Sequence, residues 1–294
     1  MDKRLELEIV RRAYAKQIMA AIGLNDLRLE EAFASVPRED FLGPGPWHTF
    51  RGPGFYTPTP SDDPVYLYTD MLFGIVPERN INNGQPSLHA ALLGTVSIEE
   101  GEHVVHVGAG AGYYAAIMAH LVGSSGRVTA VEFDPALADL AKKNLSTCPN
   151  IRVLHANGAD ADFDIADVIY VNVGTTRPAE RWLDCLSDNG RLILPLTTDA
   201  SVRASDAGTV DFASMARLGA VFRIERKAAD FHACWVCPAA YILAEGMRDP
   251  VSESALADAF KKGDGQKVTR LYRSDDIPPE RCWLQGNGWC LAYE

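Results

Sequence analysis

Hydrophobic positions recur at helical spacing through residues 3 to 35. Leu7, Val10, Tyr14 and Ile18 fall on one side of a 3.6-residue turn, and Gly23 predicts a stop. Leu27, Leu29, Ala32 and Phe33 predict a second helix, opened by Asn25 or Asp26 as cap and ended by Pro37. The periodicity then disappears. Gly43-Pro44-Gly45-Pro46, Gly52-Pro53-Gly54 and Pro58-Thr59-Pro60 exclude helix or central strand between 43 and 64. They predict a long irregular segment with Trp47, Phe50, Phe55 and Tyr56 spaced through it. Two readings stand for it, an ordered loop pinned by its aromatics and a lid or recognition loop.

From about residue 97 short apolar runs alternate with helical patterns. Val104-Val105-His106-Val107, Gly126 to Glu132, Ile151 to Leu154, Val168 to Val171 and Arg191 to Leu194 read as strands. Tyr113 to Val122, Pro135 to Leu145 and Ala179 to Leu186 read as the helices between them. This cadence predicts an α/β fold with an open, largely parallel sheet. Beyond residue 200 the rhythm changes. Ala220 to Ile224 and Cys234 to Leu243 predict an antiparallel pair, and Ser252 to Lys261 a short helix stopped by Gly263. The expected organisation is therefore N-terminal helices and a Pro/Gly-rich loop over 1–80, a nucleoside-binding core over 81–200, and a C-terminal α+β extension over 201–294.

Charge narrows the partners. Asp and Glu number 39 against 28 Lys and Arg, a formal net charge of -11, and the basic residues form only doublets such as Arg11-Arg12 and Lys261-Lys262. A chain of this balance does not attract a phosphate backbone, so no nucleic-acid partner is expected. No apolar run reaches the length of about eighteen residues that a membrane span needs, so no membrane partner is expected either. Met1 to Glu6 carries charge where a secretory signal needs an apolar run, and six cysteines in 294 residues are not a disulfide scaffold. The expected location is the cytoplasm, with free thiols.

The most informative segment is Val105-His106-Val107-Gly108-Ala109-Gly110-Ala111-Gly112-Tyr113. Three glycines at alternate positions follow a strand and open a helix, where small residues let the main chain turn tightly and approach a ligand. Glu132 ends the next strand, 20 residues after Gly112, where a carboxylate can accept hydrogen bonds from ribose hydroxyls. The pair describes a nucleoside site. A dinucleotide fingerprint needs its third glycine three residues after the second. Here Gly112 comes two after Gly110, which resembles the first motif of class I S-adenosylmethionine-dependent methyltransferases. An NAD(P)-dependent oxidoreductase is the alternative that this spacing disfavours.

Further segments resemble the protein-L-isoaspartate O-methyltransferase family. Val36-Pro37-Arg38-Glu39-Asp40-Phe41-Leu42 is similar to its "VPRexF" segment, Tyr68-Thr69-Asp70 to its "YxD", and Asn83-Gly84-Gln85-Pro86 to its "ISQP" stretch. The glycine motif, Gly126 to Glu132, Asp167 to Val171 and Gly190 to Pro195 follow in the family's order, so the resemblance spans about residues 27 to 196. It implies a doubly wound, mostly parallel, Rossmann-like sheet with an antiparallel last strand. It implies S-adenosyl-L-methionine as cofactor, S-adenosyl-L-homocysteine as product, and repair of isoaspartyl residues in a protein or peptide, or methylation of a small-molecule carboxylate. The implied cofactor residues are His106, Gly108, Ala109, Gly110, Gly112, Tyr113, Glu132, Phe133, Asn157, Gly158 and Asn172, with the glycines under the methionine portion, Glu132 on the ribose and Asn157 reading the adenine amino group. Gly84, Gln85, Ser87 and His89 are the implied catalytic set.

Three departures qualify the resemblance. Asn157 stands where the family has an acidic residue, and its carbonyl oxygen still accepts a hydrogen bond. His106 stands where the family has another acidic residue. Gly84 stands where the family carries a Ser or Thr hydroxyl beside the reacting carboxylate. A changed methyl acceptor and a non-catalytic cofactor-binding relative are the readings that Gly84 keeps open. A carboxylate acceptor needs no general base at pH 7, whereas an alcohol or amine does, and then His89 and His106 are the candidates. Cys234-Trp235-Val236-Cys237 with Cys282 and Cys290 offers four sulfurs, but residues three apart in a strand face opposite sides, so buried thiols and no metal are expected.

Overall fold

The structure is a computed structural model that describes residues 2–52, 55–199, 219–274 and 276–294. The chain divides into two compact units, Met1–Glu102 with Ala109–His155, and His103–Gly108 with Ala156–Glu294.

In the first unit, α1 (Lys3–Ile22) is capped by the Asp2 carboxylate and ends at Gly23 in the left-handed region, φ 64°. Asp26 rather than Asn25 opens α2 (Leu27–Ser35), accepting from the amides of Arg28 and Leu29. Their facing sides bury Tyr14, Ala15, Ile18, Met19, Leu29, Ala32 and Phe33. The Pro/Gly-rich segment is not irregular throughout. It contains a hairpin of β1 (His48–Gly52) and β2 (Phe55–Pro58), a two-stranded sheet of its own; Pro53 and Gly54 lie outside the described residues. Phe50 and Tyr56 pair edge to face across it at 5.4 Å. Pro58 is accommodated because it ends its strand, where the missing donor breaks no ladder. A second small hairpin, β3 (Gly74–Val76) with β4 (Ile81–Asn82), leads into α3 (Pro86–Val96). After the glycine turn come α4 (Tyr113–Val122), buried on nearly every face, then β6 (Arg127–Glu132), α5 (Pro135–Asn144) and β7 (Ile151–His155). β6 and β7 run parallel, with Glu132 opposite His155.

The second unit holds β5 (His103–Val107), β8 (Ala166–Val171), α6 (Glu180–Cys185), β9 (Leu186–Thr197), β10 (Gly219–Lys227), β11 (Asp230–Pro238), α7 (Pro250–Lys262), β12 (Arg270–Tyr272), β13 (Cys282–Gln285) and β14 (Cys290–Ala292). Its strands lie in the order β13-β14-β12-β11-β10-β9-β8-β5. β5, β8 and β9 are parallel, and from β10 onward every pairing is antiparallel. The sheet is thus mixed, its parallel part following the expected cadence and its antiparallel part running on into the C-terminal extension. The strand expected from 234 begins earlier, at Asp230, because Ala228, at φ 55°, turns the chain back almost at once; Pro238 ends it before Leu243. Trp235 and Trp283 pack with Phe222 and Phe260 at centroid distances of 5.3 to 6.5 Å, which places the C-terminal tryptophans in an apolar core.

Candidate functional site

β6 delivers Glu132 to the strand's end with only 8% of its surface exposed. Oε1 accepts from the amides of Phe133 at 2.9 Å and Asp134 at 3.0 Å, and Oε2 from the amide of Gly110 at 2.7 Å. Burial pushes the carboxyl above its ordinary range, and the three main-chain donors pull against that. A carboxylate offers about four acceptor positions, so one on Oε2 remains for a further donor. Gly110 takes φ 55° and Gly112 φ 98°. A Cβ on Gly112 would be strained at that φ and would stand 2.8 Å from the Leu145 side chain, which favours glycine there. A Cβ on Gly110 would meet only Ile75, at 3.8 Å, leaving that main chain open to approach. Ala109 donates its amide to Val131 and is buried, as is Tyr113, whose ring meets Phe41 edge to face at 5.6 Å. Phe133 is 43% exposed beside Glu132.

The same unit gathers the predicted catalytic set at the start of α3. Asp70 is the organiser, which sequence reasoning quoted as part of a motif without giving it a role. Its carboxylate accepts from the Ser87 amide at 2.8 Å, the Ser87 hydroxyl at 2.6 Å and the Gln85 side-chain amide at 3.1 Å. Asp70 thereby caps the helix, and the Ser87 proton is already committed to it. Gly84 lies at φ 74°, with its amide on Asn82 Oδ1 and its carbonyl accepting from the Tyr114 hydroxyl at 3.3 Å. The reason for glycine is His89. The imidazole stacks on Tyr114 at 3.7 Å with 1% exposure, and its Nε2 would stand 2.2 Å from any Cβ at position 84. His89 is packed in the core beside the main chain of residue 84.

Arg38 is a second residue whose role sequence reasoning missed. It is fully buried, and its guanidinium donates to the carbonyls of Leu67, Thr69 (2.9 Å) and Met71 (3.1 Å) and lies over the rings of Tyr14, Phe73 and Tyr113. It folds residues 67–71 into the strap that presents Asp70. Its only sequence signal is the "VPRexF" segment.

The second unit carries the other predicted cofactor residues. His106 is fully buried with neither ring nitrogen partnered among the described residues, and burial alone lowers its pKa to about 3. Asn172 donates to the Gly108 carbonyl at 3.4 Å, and a Cβ on Gly108 would collide with Val173 at 2.5 Å. Gly158 packs against Val107 so closely that a Cβ would lie 2.3 Å away, and its carbonyl accepts from the Trp182 indole. Asn157 accepts from the Ala159 amide at 3.0 Å and donates to the Gly246 carbonyl at 3.2 Å, leaving one carbonyl lone pair.

Parallel strands joined by helices, a glycine turn after a strand and a buried strand-end carboxylate define the class I methyltransferase fold. Two solved structures share it. One, a protein-L-isoaspartate O-methyltransferase, matches with a TM-score of 0.63 at 24% identity over 90% of this chain and 74% of that one. The other, from Plasmodium falciparum and described as a protein-L-isoaspartate O-methyltransferase in complex with S-adenosyl-L-homocysteine, matches with a TM-score of 0.59 at 16% identity over 80% of this chain and 98% of that one. In sequence, the family model for protein-L-isoaspartate(D-aspartate) O-methyltransferase matches residues 55–210. The chain is 37% identical over 165 residues to the protein-L-isoaspartate O-methyltransferase of Methanocella arvoryzae, 55% of this chain and 78% of that one. It is 30% identical over 192 residues to that of Thermotoga maritima, 63% of this chain and 55% of that one, so it spans about half the length of the Thermotoga relative. The chain belongs to the protein-L-isoaspartate O-methyltransferase family. Among the described residues no helix is long and apolar enough to cross a membrane.

Proposed function

We propose that this protein is an S-adenosylmethionine-dependent methyltransferase that esterifies the carboxylate of isoaspartyl residues in proteins or peptides. The observation that carries the reading is the Glu132 carboxylate, buried at a strand end beside the open main chain of Gly110, with one acceptor position left. Those residues fit a ribose: a sugar hydroxyl would donate to the acceptor position left on Oε2. Gly110 and Gly112 provide main chain for the methionine portion, and exposed Phe133 an apolar face for the base. The relative solved with S-adenosyl-L-homocysteine supports the choice of cofactor. When bound, the sulfonium supplies an electrophilic methyl group. The acceptor carboxylate is already ionised at pH 7, so the protein's own work is alignment and exclusion of water. Free cysteines throughout suit a reducing cytoplasm, and the acidic balance disfavours nucleic acid as a partner.

A specific observation favours a second reading, in which the cofactor is kept and the acceptor changed. Position 84 has no hydroxyl and no room for one while His89 stands against it, and the nearby Ser87 hydroxyl is engaged by Asp70. Calorimetry with S-adenosyl-L-homocysteine and, separately, with NAD tests the cofactor; binding of NAD alone overturns it. Transfer of labelled methyl to an isoaspartyl peptide, and not to its aspartyl counterpart, tests the acceptor. Label appearing only on another acceptor selects the second reading.

A further inference from the structure

We propose that Arg79 is a positioning residue for the cofactor: it ties the β3–β4 hairpin down onto the turn that carries Glu132, and so holds the hairpin over the glycine turn. The inference rests on the cofactor reading above and extends it to how long the bound molecule stays.

The hairpin has little to hold it by itself. Residues of β3 and β4 are only half-buried, and none of Pro77–Arg79 at its tip is buried. Two short strands without a core are marginal in isolation, and such segments open locally at little free-energy expense. Tyr56 of β2 stands against Gly74, and three further contacts bear on the site. At the base, the Phe73 amide donates to Asn83 Oδ1 at 2.8 Å and the Asn83 amide to the Phe73 carbonyl at 3.0 Å. In the middle, Ile75 reaches to within 3.8 Å of the point where a Cβ on Gly110 would stand. At the tip, the Arg79 guanidinium donates to Asp134 Oδ2.

The partner of Arg79 is itself part of the nucleoside turn. The other oxygen of Asp134 caps α5 through the amides of Ala136 at 2.9 Å and Leu137 at 3.0 Å. The amide of Asp134 donates to Glu132 Oε1 at 3.0 Å. The hydrogen bond from Arg79, first among several effects, holds the Asp134 carboxyl below the usual carboxylate range, so the tether is intact at neutral pH. One ion pair 55 residues apart in sequence thus connects the hairpin whose Ile75 stands beside Gly110 to the turn that carries Glu132. A molecule seated on Gly110 and Glu132 would lie beside Ile75, so the position of the hairpin bears on how readily that molecule leaves. The Arg79 side chain is 44% exposed, so the tether is soft: such a pair is worth up to about fivefold in an equilibrium and weakens with salt.

The test uses the full chain, with S-adenosyl-L-homocysteine as probe and the variants Arg79→Ala and Arg79→Lys. Dissociation of the probe is followed by stopped flow at low and high salt. Hydrogen exchange of amides 74–82 is followed in cofactor-free protein. Arg79→Ala is expected to release the probe about fivefold faster at low salt and to lose most of the salt dependence of the wild type. Arg79→Lys is expected to fall between them, and exchange in 74–82 to speed up in the alanine variant while the urea midpoint holds. Equal release rates and equal salt dependence in wild type and Arg79→Ala overturn the inference. If wild-type protein does not take up the probe, it is the cofactor reading that fails; hydrogen exchange then decides the tether alone, and unchanged exchange at 74–82 overturns it.

Discussion

Replacing Glu132 by glutamine keeps the shape of the side chain and removes one acceptor. Three main-chain amides converge on the carboxylate, two on Oε1 and one on Oε2, at 2.7 to 3.0 Å. The amide group of glutamine satisfies at most one side. With its oxygen toward Phe133 and Asp134, its NH2 meets the N–H of Gly110, donor against donor. A hydrogen bond to a charged acceptor contributes about 1.5–3 kcal/mol, and relief of the buried charge offsets part of its loss. Glu132→Gln should therefore lower unfolding free energy by about 1–2 kcal/mol, read from urea titration. The position left for a sugar hydroxyl is lost with the charge, so affinity for S-adenosyl-L-homocysteine should fall about tenfold to a hundredfold, read by calorimetry. The pH dependence has a definite sign. Burial puts the folded pKa of Glu132 above the unfolded one. Its contribution to stability is therefore present below the unfolded value and lost as pH rises through the folded value. Binding runs the other way: ligand hydroxyls donate to the ionised form, so affinity should weaken as pH is lowered through the folded pKa, and the glutamine variant should not show this. A folded Glu132→Gln protein that binds the probe as tightly as the wild type, with the same pH profile, would refute the assignment of Glu132 to the sugar.

Two other positions give sharp outcomes. His106 is neutral and buried with a pKa of about 3 against an ordinary 6.5, so the unfolded chain takes up a proton that the folded protein refuses. Stability should fall by about 1.4 kcal/mol per pH unit as pH drops below about 6.5, and urea titrations of His106→Leu should lack that slope; parallel slopes would show that His106 is solvated. Gly84→Ala should destabilise by about 2–4 kcal/mol, combining a left-handed Cβ with overpacking on His89. The double variant Gly84→Ala/His89→Ala relieves the collision, so its loss should be smaller than the sum of the two single losses, measured by the same unfolding transition; simple additivity would rule the contact out.

What the chain determined by itself is whatever depends on neighbours within a turn or two. The glycine alternation from Gly108 to Gly112, the strand ending in Glu132, a cap at Asn25 or Asp26 and the Gly23 and Gly263 stops are written in local spacing, because period, cap chemistry and positive φ are properties of a few consecutive residues. The β1–β2 hairpin was hidden because Pro58 ends its strand, a permitted position that composition does not reveal. Tertiary structure alone decided the rest. It brought Asp70 to Ser87 across 17 residues, Arg38 to the carbonyls of 67–71, Arg79 to Asp134 across 55, and the ring of His89 to the space that any side chain at 84 would need. Such contacts are set by how buried surfaces pack in three dimensions, and no periodicity along one dimension encodes the distance between two side chains that meet only when the core closes.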